Sequence, residues 1–137
     1  MRYPVTLTPD SGGYVVSFPH VPEALTQGDS REEALEQALD ALVTSLEFYF
    51  EDNESIPVPG DDEVSVDYVE LPASVAAKVL LLNAFVEARI SQVDLAKRMG
   101  VKKQEVTRLF DLRHSTKIDT IQGALQALGK RLVLAAN

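Results

Sequence analysis

Apolar positions recur every second residue near the start of the chain: Tyr3, Val5 and Leu7, then Tyr14, Val16 and Phe18. A period of two places each trio on one face of a strand. Residues 10–14 read Asp-Ser-Gly-Gly-Tyr, a turn signal. The segment therefore predicts a β-hairpin with a loop longer than the tightest two-residue type. Pro19 and Pro22 end the second strand, and residues 24–29 add a short third one. From Ser30 the period changes. Leu35, Leu39, Leu42, Leu46 and Tyr49 follow at helical spacing, with Ala38 and Phe50 beside them, as one apolar stripe. Ser30 and Glu33 have the spacing of a capping box, hydroxyl to the Glu33 amide and carboxylate back to the Ser30 amide. Glu32, Glu36, Asp40 and Glu47 fall on the other side. Pro57, Pro59 and Gly60 stop the helix, and residues 63–71 read as a closing strand. This order predicts an α+β layer, one helix packed on an antiparallel sheet.

After Pro72 the pattern becomes helical. Residues 73–90, 91–99, 102–110 and 117–128 predict four helices, with Leu80 to Leu82 in the core of the first. Gly129 suits a C-terminal cap. Residues 130–136 read as a short apolar strand. Pro72 thus divides two domains, 1–71 and 72–137, the second all-α with a terminal strand.

Charge sharpens that division. Residues 1–70 hold 16 Asp and Glu against Arg2 and Arg31, a net −14; residues 71–137 hold 11 Lys and Arg against five acids, a net +6. The basic half suits a polyanion, whereas the acidic half repels phosphate and suits a basic partner. With 45% hydrophobic and 25% charged residues, the 137-residue chain reads as globular. It has no Cys, which excludes disulfides and Cys-ligated metals. The first ten residues lack the apolar core of a signal peptide, and the longest apolar run falls short of the roughly 20 residues a membrane span needs. The expectation is a cytoplasmic protein without a membrane partner.

The basic stretch 91–110 satisfies a specific set of requirements. Two short helices that cross steeply need a small residue at the crossing, here Ala96. They need a turn residue tolerant of positive φ, here Gly100, and inward anchors, here Leu95, Val106 and Leu109. Ser91 is a good N-cap. These are the features of a helix-turn-helix, and an ordinary helical hairpin is the plainer alternative. On the outward face, Lys102, Lys103, Gln104, Thr107 and Arg108 stand where a recognition helix reaches base edges. Gln92 begins the preceding helix, where amides point at a phosphate. Arg113, His114, Ser115, Thr116 and Lys117 form a basic loop suited to backbone contacts.

Residues 75–129 resemble the Xre and phage-repressor type of helix-turn-helix. That resemblance implies base and phosphate contacts at Gln92, Lys103, Gln104 and Arg108. The chain departs from it at residues 110–117, where the family often has an Asn-Gly turn. The acidic half resembles the HicB family of antitoxins. The matching features are Gly13-Tyr14, Phe18-Pro19, Gly28-Asp29-Ser30 and Glu33-Ala34, with residues 64–71 and the C-terminal helix-turn-helix extending the likeness over nearly the whole chain. Residues 20–25 depart from the Pro-Gly common in relatives. The resemblance implies a partial RNase H-like N-terminal fold without catalytic carboxylates. It implies binding to HicA, a small basic mRNA-cleaving toxin, with its catalytic His masked. It also implies repression of the shared operon; two recognition helices about 34 Å apart then require a homodimer or higher homo-oligomer.

For toxin contacts the acids of the first helix, Glu32, Glu36 and Asp40, are the candidates, although any one of them taken singly reads more readily as a solvated charge. No catalytic set emerges. His20 and His114 lie in different halves, and the consecutive Asp61, Asp62 and Glu63 cannot converge on a metal. No cofactor, metal or enzymatic activity is expected. Two alternatives remain: a stand-alone repressor whose N-terminal module binds a ligand or oligomerises, and a nuclease with an RNase H-like site.

Overall fold

The computed structural model describes all residues, Met1–Asn137. The chain forms two compact units: Met1–Tyr49 with Ile56–Pro72, and Phe50–Ser55 with Ala73–Asn137. The first is a mixed sheet-and-helix module, and the second is helical.

In the first unit, β1 (Arg2–Asp10), β2 (Gly13–Ser17), β3 (Leu25–Gly28) and β4 (Asp67–Glu70) make a four-stranded sheet in the order β3-β2-β1-β4, every pair antiparallel. The period-two residues Tyr3, Val5, Val16 and Val69 are buried on its inner face, and the Tyr3 hydroxyl donates to the Pro57 carbonyl at 2.8 Å. Burial raises the Tyr3 pKa above its usual range, and Tyr49 adds to the effect. The hairpin loop is shorter than the sequence predicts. Asp10 pairs directly with Gly13, leaving Ser11 and Gly12 with φ of 51° and 85°. Two positive φ values in a two-residue loop are the primed turn that matches strand twist. Ser11 takes a backbone region that the sequence signal assigned to glycine.

The helix α1 (Arg31–Asp52) starts where Ser30 caps it: the Glu33 amide donates to the Ser30 hydroxyl at 3.1 Å. The reciprocal bond differs from the expected box, because the Glu33 carboxylate accepts from the Asp29 amide at 3.0 Å. The buried stripe is also rotated. Within the first unit Ala34, Ala38, Leu42 and Leu46 are fully buried, while Leu35 and Leu39 sit half-buried at its edge. The reason lies at Gly28. A Cβ there would stand 2.4 Å from the Ala34 amide nitrogen and 2.7 Å from its Cα. Strand and helix backbones meet so closely that only small residues fit.

The second unit contains α2 (Ala73–Ala88), α3 (Gln92–Met99), α4 (Lys103–Leu109) and α5 (Ile118–Ala127). Leu81, Leu82, Leu95, Val106, Leu109 and Ile121 are buried to within 1% of complete, while Leu80 is exposed. Phe110 packs between Phe85 and Phe50, at ring centroid distances of 4.7 and 6.4 Å. Gly129 closes α5 with a φ of 77°, and the Lys130 amide returns to the Leu125 carbonyl at 2.9 Å. Residues 130–137 form no strand, which corrects the expected terminal strand. A strand needs a hydrogen-bonded neighbour, and a single chain offers this segment none. No helix is long and apolar enough to cross a membrane.

Gly28→Val should cost about 1–3 kcal/mol, the usual range for overpacking a tight contact. Urea unfolding followed by circular dichroism checks this. A wild-type midpoint would show that the approach of Gly28 to Ala34 does not limit the fold.

Candidate functional site

The site grows out of α3, the turn after it, and α4. Ser91 caps α3 with a complete reciprocal box: the Asp94 amide donates to the Ser91 hydroxyl at 3.1 Å, and the Ser91 amide donates to the Asp94 carboxylate at 3.3 Å. The Ser91 backbone bond, followed by the Ser91 side-chain bond, holds the Asp94 pKa below the ordinary aspartate value. At the other end Gly100 adopts φ 71°, and the amides of Gly100 and Val101 return to the Lys97 and Ala96 carbonyls at 3.2 and 3.0 Å. These bonds satisfy carbonyls that every helix end leaves open. Ala96 and Leu95 are buried on α3, and Val106 and Leu109 are buried on α4. The small residue, the left-handed turn and the three anchors stand where the spacing requires them.

The opposite side of the pair is open. Lys102, Lys103, Gln104, Thr107 and Arg108 are all exposed, and Gln92 is half-exposed at the start of α3. The structure ties three of these together. The Thr107 hydroxyl approaches Gln92 Oε1 at 3.3 Å and the Lys103 carbonyl at 3.2 Å. Arg113, His114, Ser115 and Lys117 are exposed along the loop between α4 and α5. Arg89 is a cation that the sequence reading left out. It has a φ of 54° and helps line an open cleft of about 500 Å³ together with Gln92 and Lys103. Its place follows from where α2 ends, which the periodicity does not fix to the residue.

One further residue was not visible as functional. Lys78 lies in the apolar run of α2 and is 1% exposed. Its ammonium donates to the carbonyls of Arg108, Asp111 and His114 at 3.2, 2.7 and 2.7 Å. Burial lowers its pKa, and Asp111 opposes that shift. A lone Lys among Val, Ala and Leu was the available signal.

In the sheet-and-helix unit, Glu32, Glu36 and Asp40 lie on the exposed side of α1. Arg31 pairs with Asp67. His20 Nε2 lies 2.6 Å from Glu63 Oε1, which ties the loop after β2 to the segment before β4. No group of three or more His, Cys, Asp or Glu is placed to hold a metal ion.

Residues 2–80 match the family model described as a HicB-like antitoxin of bacterial toxin–antitoxin systems. The chain is 67% identical over 136 residues to Antitoxin HicB 1 of Photorhabdus laumondii, covering 98% of this chain and 86% of that protein. It is 59% identical to Antitoxin HicB of Escherichia coli K12, covering 98% of both. It is 40% identical to Antitoxin HicB of Pseudomonas fluorescens, covering 98% of this chain and 92% of that one.

Ser91→Ala removes one half of the cap and should destabilise the helical unit by about 1 kcal/mol. The Asp94 half depends on pH. Its folded pKa is depressed, so its stabilisation is complete above the unfolded value near 4 and fades as pH falls further. Thermal melts of wild type and Asp94→Asn should therefore differ at neutral pH and converge toward pH 2. A difference that persists at pH 2 would contradict the carboxylate's role in the cap.

Proposed function

Because the chain belongs to the HicB family of antitoxins, we propose that its two units divide the work of neutralising a toxin and repressing its synthesis. Membership makes it an antitoxin of a toxin–antitoxin system and not an enzyme. The finer assignments rest on the family resemblance and on the residues together. Residues 1–71 form the neutralising domain, with a partial RNase H-like fold. Its net charge of −14 makes it a poor ligand for RNA and a suitable one for a basic RNA-cleaving protein of the HicA type. The exposed acids of α1, among them Glu32, Glu36 and Asp40, are the proposed contacts.

Residues 72–137 form the DNA-binding and dimerisation domain, with α3 and α4 as an Xre-type helix-turn-helix. The observation that carries this reading is the joint one at α3 and α4. The capped first helix, the left-handed Gly100 and the buried Ala96 come with an outward face made of Lys102, Lys103, Gln104, Thr107 and Arg108. Arg and Lys suit guanine, and Gln suits adenine. Gln92, Arg113, Ser115 and Lys117 are assigned to the phosphates. Two recognition helices must stand about 34 Å apart to enter successive major grooves, so the repressor acts as a dimer. Val133 and Leu134 are 67% and 77% exposed in a terminal segment without a strand partner. Pairing of that segment with its copy across a two-fold axis would cover both.

Arg108→Ala should lose about 1–3 kcal/mol on the specific operator and relax selectivity at one base pair, whereas Lys117→Ala should weaken all sequences alike. Binding titrations on specific and scrambled duplexes check this. An equal loss on both duplexes for Arg108→Ala would remove it from the base contacts. Deleting residues 131–137 should lower dimerisation and operator affinity together, as read by sedimentation and gel shift. An intact dimer would reject the terminal pairing.

A further inference from the structure

The charged side chain buried most deeply in the chain belongs to Lys78, and the DNA-contact assignments above do not use it. An ammonium has three N–H donors, and here each has its own backbone carbonyl, on Arg108, Asp111 and His114. Burying a charge is costly unless it is hydrogen-bonded this completely. The acceptors are not scattered. The Arg108 carbonyl lies in the last turn of α4, where the helix dipole favours a cation, and it also accepts the Asp111 amide at 3.2 Å. The Asp111 carbonyl also accepts the His114 amide at 3.1 Å, and the Asp111 carboxylate accepts the Arg113 amide at 3.0 Å. Phe110 and Leu112 are buried on either side of Asp111. The chain leaving α4 is therefore held inward at Arg108, Asp111 and His114, while the side chains of Arg113, His114, Ser115 and Lys117 stay exposed.

We propose that Lys78 is a positioning residue for DNA binding: its ammonium fixes the end of α4 and the loop after it, so that the basic side chains of that loop meet the phosphate backbone together with the recognition helix. This rests on the DNA-binding reading above. Lys78 itself touches no DNA.

A merely structural lysine would change how much protein folds, and not how many phosphates the folded protein contacts. The salt dependence of binding separates the two, because each phosphate contact contributes about 0.9 to the slope of log affinity against log salt. The probe is a fluorescein-labelled duplex of the promoter upstream of this chain's gene, titrated with full-length protein by anisotropy across a salt series. Lys78→Met, checked for folding by melting, should reduce the slope by about one contact and lower affinity about tenfold near 0.1 M salt. An unchanged slope in folded Lys78→Met overturns the proposal. If wild type shows no salt-dependent binding, the DNA-binding reading fails instead.

The chain has no cysteine, so Lys78→Cys introduces a unique thiol. Alkylating it in denaturant with 2-bromoethylamine rebuilds a lysine analogue with the ammonium. Alkylation with 1-bromopropane gives a neutral analogue of the same length. After refolding, the aminoethyl form should recover the wild-type slope and the propyl form should not. A recovered slope in the propyl form, or a depressed one in the refolded aminoethyl form, contradicts the assignment. Failure of every neutral form to fold would assign the ammonium to folding alone and overturn it as well.

Discussion

Electrostatic repulsion from phosphate is the constraint on which this molecule turns. Residues 1–70, at a net −14, repel phosphate, and residues 71–137, at +6, attract it. The acidic excess becomes intelligible when the second partner is a basic protein that itself binds RNA, because the acidic surface then competes with phosphate for the same cations. The two signs are segregated along the chain, at −14 over residues 1–70 and +6 over residues 71–137, and the proposed division of labour rests on that segregation.

The helical unit shows how a short segment is specified by local rules. Ser91, Asp94 and Gly100 fix the two ends of α3 through hydrogen bonds to residues within five positions. Such features are legible in sequence because cause and effect lie within one turn. The same holds for Val106 and Leu109, which face inward by spacing alone. The exposed row from Lys102 to Arg108 then follows, since a seven-residue helix with two buried anchors has little choice about what faces out.

The misreadings have a common cause in contacts between residues distant in sequence. The stripe of α1 keeps Ala38, Leu42 and Leu46 but shifts from Leu35 and Leu39 toward Ala34, because Gly28 brings a strand backbone against the helix. No periodicity within α1 contains that information. The Ser11-Gly12 loop is one register tighter than the run of Ser and Gly implies, because pairing down to Asp10 and Gly13 outweighs the cost of a positive φ at Ser11. The terminal segment 130–137 has the composition of a strand, and within one chain no neighbour pairs with it. Lys78 is the largest omission. A lysine inside an apolar helix reads as an interruption until the three carbonyls 30 to 36 residues away are seen around it. The loop that they form was also where the chain departs from the repressor pattern.

The central claim is that the acidic unit silences a basic RNA-cleaving protein. The most direct measurement mixes the chain with a purified small basic mRNA-cleaving toxin of the HicA type from its own host, and follows cleavage of a labelled mRNA while native mass spectrometry weighs the complex. The account predicts a stoichiometric complex and cleavage that stops at the equivalence point. Continued cleavage with this chain in excess would contradict it.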